Sequence, residues 1–98
     1  TAQGKSTDTR FSQALISVQM NVASTRLALA TKDLLTARQE FSTAETNFAD
    51  LKAQLSDDEV VSALEQRFKA IRTNLTSDSA TALEELRTLS ENLTRLEP

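Results

Sequence analysis

Between Met20 and Leu55 the apolar residues recur in alternating steps of three and four: Met20, Ala23, Leu27, Ala30, Leu34, Ala37, Phe41, Ala44, Phe48, Leu51 and Leu55. Five heptads in one register form the seam of a coiled coil, and Ile16 extends it backward by one position. Large residues alternate with Ala along most of this seam, so a partner helix can come close at each Ala while Leu or Phe fills the space beside it. The spacing predicts a first helix from about residue 8 to 55, about 70 Å long at 1.5 Å per residue. Residues 1–7 ahead of it are expected to be disordered or frayed.

The first half of this helix carries a second stripe, Phe11, Leu15, Val18, Val22 and Leu29, interrupted at Thr25. At about 100° per residue it lies well over 90° from the first stripe. A helix with two apolar stripes needs two partners. Beyond Leu35 the second stripe ends, so residues 36–55 need one.

The seam returns as Val61, Leu64, Phe68, Ile71 and Leu75, and again as Ser79, Ala82, Leu86, Leu89, Leu93 and Leu96. The two registers differ by four residues, which is a coiled-coil stutter if the helix continues through NLTSDSAT. A break is the alternative: Asp78 could cap a new helix, and Thr81 with Glu84 has capping-box spacing. No Gly or Pro forces a reversal there, and a second long helix over about 57–96, disturbed near 76–79, matches the first in length. The expected fold is therefore all-α: one domain spanning 1–98, a long antiparallel hairpin that dimerises into a four-helix bundle. The stripe left over, Phe11, Leu15, Val18, Val22 and Leu29, is the expected dimer interface, because a lone hairpin would leave it wet.

Composition supports helix. The single Gly and single Pro stand at positions 4 and 98, and Phe11, Phe41, Phe48 and Phe68 are the only aromatics. A net charge of −3 with scattered Lys and Arg offers no basic stripe for a phosphate backbone, so nucleic acid is not an expected partner. With neither Cys nor His there is no disulfide, thiol nucleophile, imidazole base or ordinary zinc set. No catalytic residue, metal site or cofactor is expected, and the reading is of a protein that is not an enzyme. The longest apolar run, LALA at 27–30, is far short of a membrane span, so membrane attachment would come only through flanking segments outside this chain.

Asp57, Asp58 and Glu59 form the one acidic cluster. Ser56 with Glu59 has the form of a capping box, Leu55 and Val60 stand where a hydrophobic staple would join them, and Asp57 and Asp58 fall in the first turn, where carboxylates offset the helix dipole. The cluster thus marks the chain reversal near residue 56 rather than a cation site, since the turn has too few oxygen ligands for calcium. Arg26 and Arg38 flank the first seam, Arg67 and Arg72 the second. Solvated ion pairing is their ordinary use. A guanidinium that receives a small carboxylate between bundle helices is the functional alternative, with Arg26 the preferred candidate because its half of the helix has two partners. Two NLT triplets, at 74–76 and 92–94, match a glycosylation acceptor, but their Leu residues belong to the seam and read as helix.

With its termini at one end and a second stripe near that end, the chain resembles the extracytoplasmic helical sensor region of bacterial transmembrane receptors, the chemoreceptors and sensor histidine kinases. SVQMNVASTRLALATKDLLTARQEF, with an Arg on the first helix, carries that resemblance. It implies a periplasmic domain of an inner-membrane protein, flanked by two membrane spans. A ligand or partner would shift one helix against another and pass that displacement to a kinase-controlling module. Chemotaxis and signal transduction are the implied processes. Two alternatives fit the hairpin: the coiled-coil arm of a periplasmic adaptor, with LSDDEV as its contact point, and a cytoplasmic oligomerisation coiled coil.

Overall fold

The structure, a computed structural model, describes the backbone of residues 2–97 and the side chains of residues 9–97. Among the described residues there are four helices and no strand: α1 (Ala2–Ala30), α2 (Leu34–Lys52), α3 (Asp58–Asn74) and α4 (Ser79–Thr94). The expected helices over 8–55 and 57–96 are each divided in two. The chain thus supplies by itself the four helices that were expected from two copies. Of the segment expected to be disordered or frayed, Thr1 lies outside the described residues and the backbone of 2–7 is helical.

The first division is a helix stop built without glycine. The Asp33 N–H donates to the Ala28 carbonyl at 2.8 Å and the Lys32 N–H to the Leu29 carbonyl at 3.0 Å. These are the paired bonds of a Schellman motif, and they put Lys32 in the left-handed region at φ 64°. A non-Gly residue there costs about 1 kcal/mol or more. The cost is offset because Asp33 at once caps α2, accepting from the Thr36 N–H at 3.1 Å. The heptad pattern runs through this turn unchanged, Ala30 to Leu34 to Ala37, which is why spacing alone reads as one helix.

The reversal near residue 56 is where the sequence places it, but its cap is Asp57 rather than Ser56. Asp57 Oδ1 accepts from the Glu59 N–H at 3.0 Å and the Val60 N–H at 3.3 Å, so Asp58 and Glu59 form the acidic first turn of α3. At 76–79 the break prevails over the stutter. Asp78 caps α4, accepting from the Thr81 N–H at 3.2 Å through Oδ1 and from the Thr81 hydroxyl at 2.7 Å through Oδ2.

Hydrogen bonds to Thr36 and Thr81 hold the Asp33 and Asp78 carboxyls below the ordinary value of about 3.8. The unfolded chain therefore takes up these protons more readily than the folded one. The contribution of each cap is complete above about pH 3.8 and is lost as the pH falls through the lower folded values. Asn also caps well but does not titrate. Asp33→Asn with Asp78→Asn should keep the helical circular dichroism at neutral pH and show a shallower fall of Tm on acidification below about pH 4 than the parent. Identical acid profiles would exclude this role for the two caps.

Neighbouring helices run antiparallel. Asn21 of α1 bonds both Glu40 and Asn47 of α2, Glu45 and Lys52 of α2 pair with Arg72 and Glu65 of α3, and Asn74 of α3 bonds Glu85 of α4. The Gln19 amide donates to Glu97 and brings the end of the chain back to α1, closing an up-down-up-down bundle. The contacts run α1 to α2, α3 to α4 and α1 to α4, and only thinly from α2 to α3. α1 is the longest helix, about 44 Å at 1.5 Å per residue, against a molecular long axis of 47 Å. It starts toward the same end of the bundle at which the antiparallel α4 finishes.

The core takes one stripe from each helix. α2 contributes Ala37, Phe41, Ala44, Phe48 and Leu51, α3 Leu64, Phe68, Ile71 and Leu75, and α4 Ala82, Leu86, Leu89 and Leu93, all from the expected seams. α1 departs from expectation. It buries Leu15, Val18, Val22 and Leu29, with Phe11 partly buried beside them. Thr25 completes the stripe, fully buried, its hydroxyl satisfied by the Asn21 carbonyl at 2.7 Å. The stripe expected to form a dimer interface is thus filled within one chain, by α2, which the turn at Lys32 brings against it, and by α4, which the two later reversals return to α1.

Candidate functional site

With the inner stripe of α1 used by the core, its other stripe faces outward. Ile16 is 53% exposed, Met20 64% and Leu27 67%, with Ala23 and Ala30 exposed between and beyond them. These positions share one face because they advance by three and four residues. Leu34 and Leu35, at the start of α2, are also exposed. Isolated exposed leucines are ordinary, but an aligned apolar row on one helix is not.

Beside this row α1 and α4 leave a shallow hollow of about 290 Å³, lined by Ala23, Arg26, Leu27, Ala30 and Leu83. Arg26, the preferred ligand-binding candidate, is half-buried at its edge. The hollow is mostly apolar, with one cation and no second polar group to orient a carboxylate. Leu83 was missed because it stands one residue past the α4 seam and matters only once α4 lies beside α1.

The other three arginines do not converge on Arg26. Arg72 makes a two-point pair with Glu45 across the α2–α3 edge, its Nε donating at 3.0 Å. Arg38 is exposed and lines a cleft with Leu35, Phe41 and Leu75 on the same side. Arg67 is half-buried, and its Nε is buried without a hydrogen-bond partner; its aliphatic stem supplies its packing. A second cleft of about 390 Å³ lies between α2 and α3 over Phe48 and Phe68, and the 3.0 Å pair of Lys52 with Glu65 stands at its rim. Its floor is closed by the stacked rings, whose centroids are 4.6 Å apart.

Among the described residues no group of three or more acidic side chains is placed to hold a metal ion, and no helix is long and apolar enough to cross a membrane. The geometry defines a small four-helix bundle with one bare apolar face. No protein-family model, curated protein or solved structure matches the chain.

Proposed function

We propose that this chain is a non-catalytic sensing and dimerisation module of a bacterial transmembrane signalling receptor, placed on the periplasmic side. The observation that supports this most is that α1 and α4 are antiparallel neighbours, with Glu97 after α4 beside Gln19 of α1. The start of α1 and the end of α4 therefore point toward the same end of the bundle, as two segments entering one membrane require. A single chain that closes its own four-helix bundle also suits the resemblance to receptor sensor regions better than a bare hairpin does. Discrete shifts of α1 against α4 then provide a route for the signal, because helices that interlock through side chains move in steps. A small carboxylate at Arg26 is the proposed stimulus.

The adaptor reading needs a long hairpin arm, and a chain that reverses three times supports the receptor reading better. The test is fractionation of the complete protein that carries this sequence. It is expected in the inner membrane, with this segment open to protease from the periplasmic side. Recovery as a free cytoplasmic protein would overturn the receptor reading.

A further inference from the structure

We propose that the outward face of α1, formed by Ile16, Met20, Ala23, Leu27 and Ala30, is the surface on which a second copy of this chain docks. The inference rests on the reading of the chain as a dimerising module and supplies the interface. Three observations point to it.

The first is how the outer faces differ. α4 presents Glu84, Arg87 and Glu91 as a chain of ion pairs, and the α2–α3 edge presents Glu45 with Arg72 and Lys52 with Glu65. The chain holds eleven basic and fourteen acidic residues, yet between Phe11 and Thr31 the only charged side chain is Arg26. Interface centres are depleted of charge in this way, whereas a solvated helix face is not.

The second is shape. Ile16, Met20 and Leu27 stand out as ridges, Ala23 and Ala30 lie between and beyond them as hollows, and the hollow bordered by Leu83 continues the row toward α4. A two-fold axis presents the same face from both copies, so the ridge of one chain meets the small-residue gaps of the other. Leu27 of each copy has the size of a knob for the gaps that Ala23 and Ala30 leave in the row of the other.

The third is area. The face is about 21 Å long at 1.5 Å per residue. A single helix face of this length falls short of the roughly 800 Å² per partner of a standard interface, which puts it at the weak end of specific interfaces. The dimer should therefore dissociate at micromolar concentrations in the isolated chain and tighten when two copies are tethered to one surface.

Sedimentation equilibrium over roughly 1 to 500 μM tests this directly, a range chosen to span dissociation constants of that order. The parent is expected to show a monomer–dimer equilibrium. Met20→Glu with Leu27→Glu should weaken it at least about tenfold while leaving helical circular dichroism and Tm near the parent's, because both residues are more than half exposed. Ala23→Cys gives an independent reading. Residue 23 lies at the midpoint of the row from Ile16 to Ala30, and the chain has no other Cys. Two copies joined through this face, parallel or antiparallel, bring residue 23 to itself, and mild oxidation should yield a covalent dimer. A dimer unchanged by the double substitution would overturn this face while leaving dimerisation standing. A monomer at every concentration that also fails to cross-link through Cys would overturn the inference and the dimerising reading together.

Discussion

Val18→Asp together with Val22→Asp is expected to unfold the protein. Both residues are fully buried on the inner face of α1, one turn apart, among Leu15, Thr25 and Leu29. Each substitution removes a buried aliphatic side chain, worth about 1.5–3 kcal/mol. Each also places a carboxylate in this apolar stripe, and an unpaired buried charge costs about 3–5 kcal/mol. A domain of this kind has about 5–15 kcal/mol of stability in all, so two such changes exceed or exhaust it. Far-UV circular dichroism should show loss of most helix at 25 °C. Had the stripe been a surface between two chains, the same variant would stay helical and become monomeric. Retained helix with a lower oligomeric state would thus reject the burial of this stripe, and Met20→Glu with Leu27→Glu serves as the outward-facing control.

The second large effect is expected at Phe68. Its ring stacks on Phe48 with centroids 4.6 Å apart and meets Phe41 at 5.5 Å, joining α3 to two points of α2 about two turns apart. These two helices meet only thinly elsewhere, and their outer edge is held by Arg72 with Glu45 and Lys52 with Glu65. Exposed ion pairs contribute about 0–1 kcal/mol each and weaken in salt, so the aromatic cluster carries most of this contact. Phe68→Ala should cost about 3–5 kcal/mol through lost burial and the cavity left behind. At about 4–8 °C per kcal/mol for a domain of this size, Tm should fall by at least about 12 °C. A cycle with Phe48→Ala should give a coupling of about 0.5–1.5 kcal/mol, as expected for paired aromatic rings. Additivity of the two substitutions would show that the rings do not act as a pair.

These two expectations also show where pattern reading succeeds. Phe68 was legible as core because α3 has one apolar stripe, and a helix with one stripe has one way to bury it. The same holds for Phe41, Phe48, Leu86, Leu89 and Leu93. Val18 and Val22 were legible as apolar but not as interior, since α1 has two stripes of similar character. Asp78 was visible as a possible cap, yet a continuous heptad count outweighed it. Lys32 gave no comparable sign, because helix stops of this form are ordinarily marked by Gly and the seam passed through the turn in register. Arg26 was visible as a cation beside a seam, but its neighbour Leu83 comes from the far end of the chain.

Periodicity and the near absence of Gly and Pro were enough to establish an all-helical chain, the members of each apolar stripe and a surplus of one stripe over what a single bundle can bury. Those properties are local, and side-chain spacing on a helix records them directly. The number of helices in one chain, and which α1 stripe became interior, were decided in three dimensions. Once the backbone has reversed at Lys32, near residue 56 and at 76–79, α2 and α4 both pack on α1. The stripe facing both loses its contact with water, and the stripe opposite keeps it. Hydrophobic burial is non-directional and roughly proportional to area, so two similar stripes compete almost equally until the turns fix the directions from which partners arrive.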